Sequence, residues 1–203
     1  MILLDGKKTS IEIKEEIKKT VSAIKLKGER VPHLAAVLVG NDGASLTYVG
    51  NKVRSCEYVG FKSTLIKFEN NISEIDLLKQ IQILNLDNTL DGYIVQLPLP
   101  KHIDEEKILL AIDSKKDVDG FHPENFGRMS LELDAFVPAT PYGIIKLLER
   151  YKIPTDGKHC LVVGRSNIVG RPISILMSQK GISGNATVTL AHSRTKNLKK
   201  LTK

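Results

Sequence analysis

The apolar run LAAVLVG, residues 34–40, decides the fold class of this chain. It contains no polar side chain before Gly40 and Asn41 close it, which is the pattern of a strand buried on both faces. Both faces of a sheet are buried when helices cover each side, and this arrangement is typical of parallel strands joined by helices. The run therefore predicts a parallel sheet in an α/β protein.

The segments around this run alternate between helical and strand patterns. A first helix is predicted from a capping box at Thr9 and Glu12 to Gly28. The strand at 34–40 follows it. The next helix has the apolar stripe Leu46, Val49, Val53 and Cys56 and ends near Gly60. The chain then continues with a strand at 61–68, a helix at 73–86 capped by Ser73, a strand at 91–100 and a helix at 104–112. The order is that of repeated βα units.

A second unit begins after the proline-containing segment FVPATP, residues 136–141. We therefore predict an N-terminal domain at 1–140 and a second domain at 141–203. The second contains a helix from Pro141 to Tyr151, a strand at 159–164, a helix at 168–180 and a strand at 186–192. A dinucleotide-binding sheet normally has about six strands, so we expect the second domain to be incomplete within these residues.

Composition narrows the functional classes. The 203 residues are 41% hydrophobic, which suits a protein with a real core, and no run approaches the ~20 apolar residues of a membrane span. We expect a cytoplasmic protein with no membrane partner. The net charge of +7 suits an anionic ligand, but the chain is only 5% aromatic, so nucleic-acid binding is disfavoured. Cys56 and Cys160 lie in apolar segments without metal-ligand spacing, so no metal site is predicted.

The segment GRSNIVGRP, residues 164–172, could hold a dinucleotide. It follows a strand and leads into a helix N-terminus, where backbone N–H groups can meet a pyrophosphate. Its glycines have the spacing G-x5-G instead of G-x-G-x-x-G, and a tight turn needs glycine for steric reasons in any case. The next strand ends in Ser193 and Arg194 instead of a carboxylate, and Arg165 lies in the first turn. If a dinucleotide binds, these residues favour NADP, whose 2′-phosphate they would receive; otherwise the two arginines are solvated surface charges.

The segment SLTYVGNK, residues 45–52, contains a possible catalytic pair. Tyr48 and Lys52 share one helix face with Ser45. A lysine partly withdrawn from water can act as a base, and a nearby tyrosine can orient it or stack on a planar substrate. Spacing alone favours two polar residues on a solvated helix shoulder. Short-chain dehydrogenases also use Tyr-x3-Lys, but their glycine-rich turn precedes the pair, whereas here it follows.

Two further segments could contribute polar groups. VQLPLP, residues 95–100, places Gln96 at the carboxyl end of a strand, where open α/β sheets hold ligands. KKDVDGFHPEN, residues 115–125, has two acidic residues before Gly120. A calcium loop is excluded because Phe121 and Arg128 stand at positions that need oxygen ligands. A carboxylate such as Asp119 could instead pair with the N–H/NH₂ edge of a pterin or a guanine, or simply cap a turn.

These segments closely resemble the bifunctional methylenetetrahydrofolate dehydrogenase/cyclohydrolase family over nearly the whole chain. The matching motifs are S-x-x-Y-V-x-x-K at 45–52, VQLPLP at 95–100, KDVDGFHPEN at 116–125, PATPYG at 138–143 and GRSNIVGRP at 164–172. Ala139 replaces the cysteine that many members have in the fourth motif, a change that removes no catalytic group.

The resemblance implies roles for individual residues. Lys52 is identified as the catalytic lysine, Tyr48 as the tyrosine that lies against the folate, Gln96 as the partner of the lysine and Asp119 as the ligand of the pterin edge. Further substrate contacts are implied for Ser45, Leu97 and Pro98. Cofactor contacts are implied for Gly164, Arg165, Ser166, Ile168, Gly170, Ser193 and Arg194, with Arg165 and Ser193 at the 2′-phosphate.

The resemblance also implies the fold and the activity. The fold is α/β, with an N-terminal folate-binding catalytic domain and a C-terminal Rossmann-like NADP-binding domain that is truncated here. The activity is NADP-dependent oxidation of 5,10-methylenetetrahydrofolate to the methenyl compound and its hydrolysis to 10-formyltetrahydrofolate, in one-carbon metabolism. A homodimer that binds tetrahydrofolate derivatives is expected, with no nucleic-acid partner. The alternative is a folate- or nucleotide-binding homologue without dehydrogenase activity.

Overall fold

Helices and strands alternate along the chain in the computed structural model, which describes residues 3–202. The helices are α1 (Gly6–Leu26), α2 (Gly43–Val59), α3 (Glu74–Leu86), α4 (Glu105–Ala111), α5 (Pro123–Ser130), α6 (Ala139–Arg150), α7 (Gly170–Ser178) and α8 (Leu198–Leu201). The strands are β1 (His33–Val39), β2 (Lys62–Phe68), β3 (Gly92–Val95), β4 (His159–Val163) and β5 (Thr187–Ala191).

Strand β1 is the centre of a parallel three-stranded sheet with the order β2-β1-β3. Side chains on one face of β1, such as Val37, pack in a cluster with apolar residues of α3 and α4. Those on the other face, such as Leu38, pack with Val49 of α2. Val37 is 0% and Leu38 1% exposed, so the predicted strand with two buried faces and the predicted parallel sheet are both confirmed.

Strands β4 and β5 form a separate parallel pair. Its inner face packs against α6 and α7 in a cluster that includes Ile145, Ile173 and Met177. The strand-helix-strand unit predicted for this part of the chain is therefore confirmed, and the fold is α/β with parallel sheets.

The chain divides into two compact units. One comprises Ser10–Val118 and contains the three-stranded sheet. The other comprises the residues up to Thr9 together with the chain from Asp119 onwards, and contains the β4-β5 pair.

The start of α1 differs from the prediction. The helix begins at Gly6, and the carboxylate of Asp5 accepts a hydrogen bond from the Lys8 N–H at 2.9 Å, as an N-cap residue does. Thr9 lies inside the first turn, where its hydroxyl donates to the Asp5 carbonyl. The capping box predicted at Thr9 and Glu12 was wrong because a better capping residue stands one turn earlier.

Three other elements were placed incompletely by sequence reasoning. Helix α5 lies in a segment for which no helix was predicted; it begins at Pro123, with His122 accepting the Glu124 N–H. Helix α8 lies in the lysine-rich end, which carried no helical pattern. Strand β3 ends at Val95, well before residue 100, since the following prolines have no N–H to donate.

Among residues 3–202, no helix has both the length and the apolar character that crossing a membrane requires.

Candidate functional site

Helix α2 begins at the carboxyl edge of the parallel sheet. Strand β1 ends at Val39, Gly40 turns the chain with a φ of 78°, and Asp42 caps the helix by accepting the Ser45 N–H at 2.8 Å. The hydrogen bonds from the Ser45 backbone and side chain lower the pKa of the Asp42 carboxyl. The first turn of α2 is therefore fixed at the edge where open α/β sheets hold ligands.

Ser45, Tyr48 and Lys52 lie on successive turns of α2. Ser45 is 5% exposed, whereas the Tyr48 side chain is 65% exposed and Lys52 is half-buried. One turn further along, burial raises the pKa of the Cys56 thiol, while Ser63 and the positive charge of Lys52 oppose the rise. The face thus offers an accessible aromatic ring beside a cation that is partly withdrawn from water, which suits binding and proton transfer on a planar substrate.

Gln96 lies directly after β3, at the same edge of the sheet as the start of α2. Its backbone N–H donates to the Val37 carbonyl at 2.9 Å, and its side-chain amide donates to the Leu97 carbonyl at 2.7 Å. The residue is half-buried. The structure therefore places Gln96 where the sequence predicted it, at a carboxyl strand end, with its amide bonded to the next peptide group.

The segment after Gln96 is hydrogen-bonded to α4. Leu97 packs partly against the main core, whereas Pro98 is exposed after a cis peptide bond. The Leu99 N–H donates to the Glu105 carboxylate at 2.8 Å. Sequence reasoning missed Glu105, because its contact with Leu99 depends on how the chain turns between the two residues.

Asp119 is half-buried and stands next to a glycine that cannot be replaced without strain. Gly120 has a φ of 68°, and a Cβ atom there would lie 2.6 Å from the Phe136 carbonyl oxygen. Asp117, the other acidic residue of the motif, is buried, with only 3% exposure. Of the two carboxylates, Asp119 is therefore the more exposed.

The segment before Asp119 runs beside β3 at close range. The Tyr93 N–H donates to the Lys116 carbonyl at 2.9 Å, and Tyr93 and Asp117 form a parallel bridge. A Cβ atom on Gly92 would lie 2.2 Å from Val118 Cγ1 and 3.1 Å from the Lys116 carbonyl oxygen. This approach is possible only because residue 92 has no side chain.

Replacing Gly92 by alanine is therefore expected to destabilise the protein by about 1–3 kcal/mol, since the added methyl group overpacks a buried contact. The midpoint and slope of denaturant unfolding measure the change. Gly43→Ala is the matched control, because a Cβ atom there meets nothing within 4 Å. Equal free energies of unfolding for the two variants would show that the close approach of Val118 and Lys116 to residue 92 does not affect stability.

In the second unit, the turn between β4 and α7 is held closed by its own backbone. A Cβ atom on Gly170 would lie 2.2 Å from the Gly164 carbonyl oxygen, so only glycine fits there. The Ser166 hydroxyl accepts the N–H groups of Val169 and Gly170, at 3.2 and 3.3 Å. A hydroxyl that accepts two hydrogen bonds still has its own proton to donate, and a phosphate oxygen is a suitable acceptor.

The residues predicted for the 2′-phosphate lie at one edge of the β4-β5 pair. The Gly164 N–H donates to the Ala191 carbonyl at 2.8 Å, so the turns after β4 and β5 begin side by side. The second turn is closed by the His192 N–H, which donates to the Thr195 hydroxyl at 2.8 Å. Arg165, Ile168, Ser193 and Arg194 are all exposed there. The arrangement offers two guanidinium groups and a hydroxyl, which suit a phosphate monoester.

Within the described range, residues 3–202, no group of three or more His, Cys, Asp or Glu side chains could hold a metal ion. Cys56 and Cys160 are partly buried thiols, and burial raises the pKa of both.

Two family models match the chain. The model for the catalytic domain of "Tetrahydrofolate dehydrogenase/cyclohydrolase" matches residues 4–119, and the model for the NAD(P)-binding domain of the same enzymes matches residues 138–203.

Curated proteins and solved structures give the same result. The chain is 68% identical over 203 residues to a "Bifunctional protein FolD" of Flavobacterium johnsoniae, covering 100% of this chain and 69% of the relative. The crystal structure of a bifunctional methylenetetrahydrofolate dehydrogenase/cyclohydrolase from Campylobacter jejuni matches with a TM-score of 0.91 and 46% identity, over 98% of this chain and 69% of the other. A Trypanosoma brucei enzyme described as complexed with NADP cofactor and inhibitor matches with a TM-score of 0.89 and 30% identity, over 96% and 65% of the two chains.

Proposed function

The chain belongs to the tetrahydrofolate dehydrogenase/cyclohydrolase family, and from that premise we propose that it oxidises 5,10-methylenetetrahydrofolate with NADP⁺ and hydrolyses the methenyl product to 10-formyltetrahydrofolate. The observation that carries the proposal is the face of α2 at the carboxyl edge of the sheet. There an exposed aromatic ring, Tyr48, precedes a half-buried cation, Lys52, by one turn.

Lys52 is assigned the proton transfers. In the oxidation, a hydride leaves the bridging carbon and the folate becomes the methenyl cation. In the hydrolysis, water adds to that carbon and loses one proton. The second proton of the water is transferred to N5 as the bond from the carbon to N5 breaks, which leaves the formyl group on N10. A lysine amine is a suitable acceptor for the proton of the attacking water. Gln96, at the end of β3, is assigned the orientation of the lysine.

The folate contacts are proposed residue by residue. Tyr48 presents a ring on which a pterin can stack. Asp119 has two oxygens that can accept parallel hydrogen bonds from the pterin N–H/NH₂ edge. Further contacts are proposed for Ser45, Leu97 and Pro98.

The second unit fits a dinucleotide. Gly164 and Gly170 approach so closely that the turn has no room for a side chain, and Ser166 has a proton available for a phosphate oxygen. When bound, NADP⁺ supplies the hydride acceptor. Arg165, Ser193 and Arg194 are proposed to hold the 2′-phosphate, and Ile168 to contact the cofactor.

The activity is tested by mixing the protein with 5,10-methylenetetrahydrofolate and either NADP⁺ or NAD⁺. Reduced nucleotide is expected with NADP⁺ at a clearly higher rate than with NAD⁺. The folate- or nucleotide-binding alternative predicts ligand binding by calorimetry without turnover. A protein that binds folate yet reduces neither nucleotide would favour that alternative.

Replacing Arg165 by alanine is expected to weaken NADP⁺ and to leave NAD⁺ unchanged. A charge-assisted hydrogen bond contributes about 1.5–3 kcal/mol, so the KM for NADP⁺ is expected to rise about tenfold or more. Steady-state kinetics with both nucleotides measure the change, and Arg171→Ala, an exposed arginine on the next helix, is the control. An equal rise for NADP⁺ and NAD⁺ would rule out a 2′-phosphate contact.

We also propose a homodimer in the cytoplasm, with a domain boundary near residue 140 and no nucleic-acid partner. The separate matches of the two family models, to residues 4–119 and 138–203, support a division into two domains. Sedimentation of the purified protein tests the dimer.

A further inference from the structure

Lys116 binds the carboxyl end of helix α3. Its ammonium group donates to the carbonyl oxygens of Leu84 and Asp87, at 2.8 and 2.7 Å. Leu84 lies in the last turn of α3 and Asp87 is its C-cap residue, so both carbonyls lie where the helix dipole is negative. The contact therefore consists of two charge-assisted hydrogen bonds from a half-buried cation.

Asn85 connects the same helix to the start of the Lys116 segment. Its side-chain oxygen accepts the Asp113 N–H at 2.9 Å and the Tyr93 hydroxyl at 2.6 Å. Its side-chain nitrogen donates to the Ala111 carbonyl at 2.8 Å. Tyr93 is fully buried, and burial together with Asp113 and Asp117 raises its pKa, so the hydroxyl keeps the proton that it donates.

These contacts hold the segment Asp113–Val118, which we call the clamp loop. The loop is bound to α3 by Asn85 and Lys116, and it lies against β3 through the Tyr93 N–H and Gly92, as described above. Its own turn is closed by the Lys116 N–H, which donates to the Asp113 carbonyl at 2.7 Å. The position of Val118 relative to the sheet is thereby fixed on several sides.

Asp119 is the next residue after the clamp loop. To hold a pterin edge, its two oxygens must both align with N–H groups, and a displacement of about 1 Å can cost on the order of 100-fold in a site of this kind. We propose that Lys116, supported by Asn85, is a positioning residue that sets the carboxylate of Asp119 for folate binding. This inference rests on the proposed function, because it needs Asp119 to be a folate ligand.

Lys116→Met tests the inference in the hydrolysis of 5,10-methenyltetrahydrofolate, which needs no cofactor. Methionine keeps the length of the side chain but cannot donate to the two carbonyls. The KM for the folate is expected to rise at least about fivefold, with kcat within about twofold, since loss of binding that is equal in the ground state and the transition state raises KM alone. Lys116→Arg, which can donate to both carbonyls, is expected to recover most of the affinity.

Lys115→Met is the matched control. Lys115 is the adjacent lysine and is exposed. Within the described part of the chain its hydrogen bond in the loop is made by its backbone N–H, which donates to the Asp113 carboxylate. Its replacement removes the same charge without removing the contact to α3, so its KM is expected to equal that of the wild type. Should Lys116→Met not fold, Lys116→Gln replaces it, with a smaller rise in KM expected because an amide can reach one carbonyl.

The same measurements in an Asp119→Ala background separate this inference from the proposed function. Asp119→Ala alone is expected to raise the KM, and Lys116→Met is expected to add little to it. An unchanged KM in Asp119→Ala would contradict the proposed folate contact. Suppose instead that Asp119→Ala raises the KM. The positioning role is then overturned, and the folate contact stands, if the KM of Lys116→Met equals that of Lys115→Met. The same conclusion holds if Lys116→Met raises the KM by the same factor with Asp119 present and with Asp119→Ala.

Discussion

Replacing Lys52 by methionine is expected to lower the rate of 5,10-methenyltetrahydrofolate hydrolysis by at least about 100-fold, the range in which general acid–base groups contribute. The side chain is half-buried on α2, one turn after the exposed ring of Tyr48. Methionine keeps the packing of the carbon chain and removes the amine that would accept the proton of water. The KM for the folate is expected to change much less than kcat, since Tyr48 and Asp119 remain.

Two further variants separate the amine from its charge. Lys52→Arg retains a cation that cannot lose its proton near neutral pH, so it is expected to be nearly as slow as Lys52→Met. Arg54→Met is the control for loss of charge: it removes a positive charge from the same helix, where Arg54 is exposed and hydrogen-bonded to Asn51. Its hydrolysis rate is expected to stay within about twofold of that of the wild type. Activity retained in Lys52→Arg would indicate that only charge is needed, and activity retained in Lys52→Met would remove the residue from the mechanism.

Replacing Gly170 by alanine is expected to lower the affinity for NADP⁺ by at least about tenfold. The new methyl group would lie 2.2 Å from the Gly164 carbonyl oxygen and 2.6 Å from its carbon, both of them backbone atoms that cannot rotate away. The turn must open, and overpacking of this kind costs about 1–3 kcal/mol. Calorimetric titration with NADP⁺ measures the loss.

Hydrolysis of the methenyl compound needs no nucleotide, so Gly170→Ala is expected to keep that activity while it loses NADP⁺-dependent oxidation. Gly143→Ala is the matched control, because Gly143 lies within α6, a Cβ atom there meets nothing within 4 Å, and alanine favours a helix by about 1 kcal/mol. Unchanged NADP⁺ affinity in Gly170→Ala would mean that the turn does not hold the cofactor.

Much of the fold was predictable because the spacing of apolar residues along the chain follows the side chains that are buried. The run at 34–40 predicted a strand with two covered faces, and β1 has them. Ser73 predicted the start of α3, where its hydroxyl accepts the Asp76 N–H. Errors arose where two local signals compete within one turn, as for Asp5 and Thr9. They also arose where a short helix such as α5 begins inside a motif that gave no helical pattern.

The candidate site residues were predicted from their residue types and from the family resemblance. The residues that hold their backbone segments in place were not predicted. Lys52, Gln96 and Asp119 stand in recognisable motifs. Asn85 and Lys116 reach their partners only when α3, β3 and the clamp loop have packed. Glu105 meets the Leu99 N–H only after the chain has turned between Pro100 and Ile103. Such contacts depend on tertiary structure, so no spacing along the chain signals them.

The central claim is that one protein both oxidises the folate bridge and hydrolyses the product. The most direct measurement uses 5,10-methylenetetrahydrofolate with deuterium at both bridge positions, together with NADP⁺, and follows the label in both products by mass spectrometry. The account predicts one deuterium in the reduced nucleotide and one in the formyl group of 10-formyltetrahydrofolate. Product without deuterium in the nucleotide, or no reduced nucleotide above the rate without protein, would contradict it.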